Sequence, residues 1–131
     1  RIDTGDGPVL AMAGAVRLEN NGGFIQVRLP LADGGDFDAR DYRAVRVRVR
    51  GEPGPYFLHL RTADTRLPWQ YYRAVLPVTS SWQTVEVPLS EFAPRSLAGA
   101  LDRSRLQSLA VVAYGERFDA AIEIARLEMV P

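Results

Sequence analysis

At 131 residues, with 47% apolar and 24% charged side chains, the chain is long enough for one hydrophobic core and too short for two comfortable ones. Sixteen acidic residues balance sixteen basic ones, so no net field draws the protein to nucleic acid or anionic lipid, and nucleic acid is set aside as a partner. Cysteine is absent, which removes disulfides, thiol nucleophiles and thiolate metal sites together.

Taken in chain order, the elements are almost all of period two. Val9 to Leu18 reads as an opening strand, with Gly14 a bulge or bend. Val9 to Val16 is also the longest apolar run, far short of the roughly 20 residues of a transmembrane helix. Ile25, Val27 and Leu29 alternate with Phe24, Gln26 and Arg28. Val45, Val47 and Val49 alternate with Arg46, Arg48 and Arg50, and Gly51 to Pro55 closes that run as a turn. Tyr56, Leu58 and Leu60 then oppose Phe57, His59 and Arg61. Tyr71 to Val78 is a further strand with Pro77 near its end, where proline is tolerated. Val85 and Val87 alternate with Thr84 and Glu86. Asp102 to Leu106 is the one helical signal, a short turn capped by Asp102. Leu109 to Tyr114 is continuously apolar and predicts a central strand covered on both faces; Ile122 and Ile124 flank Glu123 in the last strand. Short strands separated by Gly, Pro, Asn and Asp clusters, with no repeat and no linker, predict one all-β domain over residues 1–131, an antiparallel two-sheet sandwich.

Catalytic signals are thin. His59 is the single histidine, and no G-x-S-x-G elbow or other nucleophile motif accompanies it, so the chain reads as no enzyme and needs no cofactor. His59 is expected on the wet side of its strand, hydrogen-bonding or stacking. Asp33, Asp36, Asp38 and Asp41 cluster, and Asp36, Asp38 and Asp41 are weak Ca²⁺ candidates. Their spacing is not that of an EF-hand loop, and aspartates that start turns are the preferred reading, with no metal. Gly22-Gly23 and Gly34-Gly35 match no phosphate-binding pattern and read as turns.

The remaining signal is a polar outer face. With the valines and leucines inside, Gln26, Arg28, Arg46, Arg48, Arg50, His59, Arg61 and Glu86 point outward. Trp69, Gln70, Tyr71, Tyr72 and Arg73 supply rings and donors in one stretch. Arginine forks suit carboxylates, amides and sugar hydroxyls, and aromatic rings stack on sugars or anchor protein contacts. The candidate binding residues are therefore Arg28, Arg48, His59, Arg61, Trp69, Tyr71 and Arg73, for a protein partner or a carbohydrate. The competing reading, solvated arginines and core-filling rings, weighs about equally. Trp82 is expected to anchor its loop at the sandwich edge. Every basic residue is arginine, a pattern attributed to codon usage. The chain opens at Arg1 rather than Met, so the lack of a leader carries no weight; a soluble cytoplasmic protein is the favoured expectation.

Several segments together resemble the complex I intermediate-associated protein 30 family. They are Asn20-Asn21-Gly22-Gly23-Phe24, Tyr42 to Gly51 (YRAVRVRVRG), Tyr56 to Thr62 (YFLHLRT), Trp82 to Phe92 (WQTVEVPLSEF) and Leu101 to Val112 (LDRSRLQSLAVV). The resemblance spans nearly the whole chain in order; the family's N-terminal Met-Gly-Gly-type motif is not found from Arg1 onward, so it either lies upstream of Arg1 or is missing from this member. It implies a galactose-binding-like jelly roll, similar to some carbohydrate-binding modules. It also implies a non-enzymatic, assembly-factor-like role and a bacterial origin. Asn20, Asn21, Gly22, Gly23, Arg61, Trp82 and Pro88 match its recurring pattern and are expected to be architectural.

Overall fold

Burying Val45, Val47 and Val49 while keeping Arg46, Arg48 and Arg50 in water requires side chains that alternate across a pleat. The computed structural model places that segment in a strand with all three valines fully buried. The structure describes residues 2–3, 10–16, 24–31, 36–52, 54–67, 69–114 and 118–131, of which 2–3, 10–16, 24–30, 114 and 118–120 are described by their backbone.

Among the described residues ten strands follow one another: β1 (Ile2–Asp3), β2 (Leu10–Val16), β3 (Phe24–Pro30), β4 (Ala44–Gly51), β5 (Tyr56–Thr62), β6 (Tyr71–Val75), β7 (Gln83–Pro88), β8 (Ala93–Arg95), β9 (Leu106–Tyr114) and β10 (Phe118–Val130). They form two sheets. The first has the order β1-β10-β4-β7, with β2 also paired to β10; the second runs β3-β9-β5-β6-β8. Every pairing is antiparallel, which gives the expected two-sheet jelly roll.

The inner faces meet in one core. Val45, Val47, Val49, Ile122, Ile124 and Leu127 of the first sheet pack with Leu58, Leu60, Tyr72, Leu109 and Val111 of the second. Each fully buried Val or Leu contributes roughly 1.5–3 kcal/mol. Tyr56 crosses the gap: its hydroxyl donates to the Glu52 carbonyl at 2.8 Å and accepts from the Ala121 N–H at 3.2 Å, so a buried phenol ties β5 to β10. Leu109 to Ala113 is buried throughout, as a strand flanked by β3 and β5 requires.

Two expectations are corrected. Pairing of β2 with β10 passes through Gly14, opposite Ala120, in unbroken register; the shift instead falls on β10 between Ile124 and Arg126, where that long strand passes from β2 toward β1. The strand expected over Tyr71–Val78 ends at Val75, because Leu76 turns inward to the core and Pro77 offers no N–H for a ladder. β8 was not foreseen. Asp102 does cap a turn, but a 3-10 turn of three residues, accepting from the Ser104 N–H at 3.0 Å.

Candidate functional site

The outward arginines foreseen from alternation separate onto two faces on opposite sides of the molecule. On the first sheet, Arg46 lies between Glu86 of β7 and Glu128 of β10 in register and pairs with both, at 2.6 and 3.3 Å. Arg43 adds a second bond to Glu86 at 3.0 Å, and Arg50 pairs with Glu123 at 3.1 Å. Arg48 donates to the Thr84 hydroxyl at 3.4 Å and lies 5.9 Å from the Trp82 ring centroid, with Arg50 at 4.7 Å. Trp82 is thus held on the outside of β4 by cation–π contacts rather than sunk in the core. The structure places Arg48 apart from His59, Arg61, Tyr71 and Arg73, which all belong to the second sheet. Arg43, Arg46 and Arg50 are thus each paired with a glutamate, as on an ordinary solvated face.

The second sheet's outer face is different in kind. Core-facing Leu58, Leu60, Tyr72 and Ala74 force Phe57, His59 and Arg61 of β5 and Tyr71, Arg73 and Val75 of β6 outward. His59 stands opposite Arg73 in register and stacks on Tyr71, ring centroids 3.9 Å apart and 9° from parallel. The Arg73 Nε donates to His59 Nε2 at 3.1 Å, its Nη2 donates to the Tyr71 hydroxyl at 3.1 Å, and its guanidinium lies 4.4 Å from the Phe57 centroid. His59 is only 8% exposed. Burial, reinforced by the positive charges of Arg73 and Arg95, pushes its imidazole down to about 3, so it is neutral with Nε2 as an acceptor. Arg28 of β3 stands opposite Ala110 in the backbone register, in the same cross-strand row as His59 and Arg73.

Arg61 closes one end of this face. Its Nη2 donates to the Thr65 carbonyl at 2.8 Å, and its Nη1 donates to those of Leu67 and Gln70 at 3.2 and 2.9 Å. A planar fork with several donors is suited to such a task. Gln70 completes the loop: its Oε1 accepts the Arg66 and Leu67 N–H groups at 3.0 Å each, and its Nε2 donates to the Ser96 carbonyl at 3.1 Å. Thr65 supports the base, its buried hydroxyl bonding both the N–H and the carbonyl of Thr62. The loop so fixed leaves Trp69 60% and Leu67 42% exposed, and Val75 on β6 is 65% exposed. Leu67 and Arg95 were missed by sequence reasoning. Neither lies in an alternating run, and only register reveals Arg95 opposite Tyr71.

The aspartates do not gather. Asp38 is held by Arg40, which lowers its carboxyl from the usual range, and Asp36 accepts from Gln107 at 3.3 Å. Among the described residues no three His, Asp or Glu side chains are placed to hold a cation. Asp33 and the two Gly-Gly pairs lie outside the described residues. Among the described residues no helix is long and apolar enough to cross a membrane.

The sequence model of the complex I intermediate-associated protein 30 (CIA30) family matches residues 2–115. No curated protein matches in sequence. Among solved structures, the chain is similar to the family 11 carbohydrate-binding module of the cellulosomal cellulase Lic26A-Cel5E of Clostridium thermocellum. There the TM-score is 0.67 at 15% identity, over 92% of this chain and 81% of that one. The Clostridium thermocellum family 11 module in complex with a β-1,3-1,4-mixed-linked tetrasaccharide gives 0.64 at 14% identity, over 92% and 82%. A solution structure of the module CtCBM11 gives 0.59 at 16%, over 96% and 84%. At such identities the likeness is one of fold.

Proposed function

The chain belongs to the complex I intermediate-associated protein 30 family, and from that premise we propose that it is a non-enzymatic binding module with a protein partner, assembly-factor-like. Its working surface is the outer face of the second sheet at the end closed by the Trp69 loop. The observation that carries this reading is the pinned loop. Arg61 and Gln70 fix its backbone, yet Trp69 and Leu67 remain turned to water. Exposed aromatic and aliphatic anchors on a rigid support lose little entropy on docking and are the usual centres of protein interfaces. The polar groups beside them are engaged within the molecule: His59 with Arg73, Arg73 with Tyr71, Arg61 with three carbonyls. A sugar site needs several directed polar groups ready for hydroxyls, and among the described residues this face has few.

A carbohydrate ligand is the second reading. It is favoured by the fold shared with family 11 carbohydrate-binding modules and by the exposed Trp69 ring near Tyr71 and Arg73. Affinity capture with the native protein and with a Trp69→Ala/Leu67→Asp variant tests the choice. The protein reading expects one defined protein retained by the native chain and depleted about tenfold or more by the variant, as interface anchors warrant. Equal retention by both overturns it. Saturable binding of mixed-linkage β-glucan or another glycan, by calorimetry, that disappears in Trp69→Ala establishes the second reading. Catalytic turnover abolished by His59→Ala would overturn both.

A further inference from the structure

In a chain of zero net charge, the two outer faces differ in whether carboxylates accompany the arginines. On the first sheet, Glu86, Glu123 and Glu128 interleave with the arginines of β4. On the second, the outward positions of β5, β6, β8 and β9 hold Arg61, Arg73 and Arg95 among Phe57, His59, Tyr71, Val75, Ala93, Ser108, Ala110 and Val112, without one carboxylate. Gln26 and Arg28 of β3 add none. The carboxylates near the Trp69 end, Asp36 and Asp64, lie on connecting segments, bonded to Gln107 and Arg105. Burial keeps His59 unprotonated, and the positive charges of Arg73 and Arg95 reinforce it. Arg95 and Arg66, the latter beside Leu67, are both exposed, and among the described residues no carboxylate pairs with Arg95.

We infer that the segment recognised here is an acidic, extended stretch of a partner protein, its Asp or Glu side chains meeting Arg66 and Arg95 and an apolar residue resting on Trp69 and Leu67. This rests on the protein-partner reading above. Charge of one sign beside a rigid apolar anchor supplies both steering and register for such a segment. An acidic polysaccharide shares the charge but leaves Leu67 and Val75 unmatched.

The test uses the whole chain and four defined probes: a random glutamate–tyrosine copolymer, polyglutamate, polylysine and polygalacturonate, by fluorescence anisotropy at 50 and 200 mM salt. We expect the glutamate–tyrosine copolymer to bind more tightly than the other three. Raising the salt should weaken it severalfold, and Arg66→Glu/Arg95→Glu should weaken it about tenfold or more, since reversed charges at an interface repel as well as fail to attract. An Arg43→Glu variant on the opposite sheet, checked with the others for an unchanged melting temperature, should bind like the native protein. Equal losses from Arg43→Glu, tighter binding of polygalacturonate, or salt-independent binding would overturn the inference. If the captured protein is lost by Trp69→Ala/Leu67→Asp but kept by Arg66→Glu/Arg95→Glu, the acidic-segment inference fails while the protein-partner reading stands.

Discussion

At the scale of single residues, His59 shows how far a polar group on an outer position can be from a solvated one. Its strand alternation points it away from the core, yet Tyr71 stacks on it and Arg73 donates to it, leaving 8% of it exposed. Because its folded value is pushed down from 6.5 to about 3, the unfolded chain binds the extra proton between those limits. The sign follows from linkage: stability is complete above about pH 6.5 and is lost as pH falls toward 3, at up to about 1.4 kcal/mol per pH unit. Thermal melts of the native protein and His59→Phe from pH 7 to 3 should therefore diverge in slope, the variant being flatter. Parallel curves would mean the imidazole titrates freely. That His59 faces outward was legible from alternation; its burial was not, because burial comes from Tyr71 and Arg73 one strand away.

At the scale of elements, two features decide whether the site is presented at all. Gly51 ends β4 opposite Ile122 of the neighbouring β10, and a Cβ there would overlap the Ala121 carbonyl oxygen and crowd Ile122 Cα at 3.0 Å. Backbone is on the other side, so nothing yields cheaply. Gly51→Ala should lower stability by about 1–3 kcal/mol in denaturant unfolding, in line with other overpacked sites; a change under about 0.5 kcal/mol would show that β10 shifts freely. The loop of residues 63–70 depends instead on Arg61. Arg61→Ala leaves three carbonyls without their charged donor, a loss of roughly 1–3 kcal/mol, and should speed amide exchange in that loop. Arg61→Lys should recover little of it, because one ammonium cannot reproduce the fork. Unchanged exchange in both would show that Gln70 and Thr65 hold the loop alone. The family resemblance implied an architectural Arg61 while alternation made it a binding candidate. The structure gives its contacts to the loop, and under the proposed function its part is to position Trp69.

At the scale of the whole molecule, the strand pattern was readable because the inside and outside of a sandwich differ so sharply in water content. Val45 to Arg50, Tyr56 to Arg61 and Leu109 to Tyr114 all declare themselves. Sheet membership is another matter. Arg48 and His59 look equivalent in sequence, each outward and each flanked by apolar neighbours, yet β4 and β5 belong to opposite sheets. Adjacent strands that cross from one sheet to the other send their outward residues in opposite directions, and local alternation carries no record of the crossing. Short β8 is invisible for a related reason: three residues with a proline have no period to detect, and β8 exists by pairing with β6. The result is a molecule with one face of interleaved arginines and glutamates and one whose described outward positions carry arginines without carboxylates, beside a loop that exposes Trp69 and Leu67. The most direct measurement is a hydrogen-exchange footprint of the protein with its captured partner. Slowed exchange concentrated in residues 63–75 and 93–97, with β4, β7 and β10 unaffected, is the expected outcome. Slowing confined to β4 and β7 on the opposite sheet would contradict it.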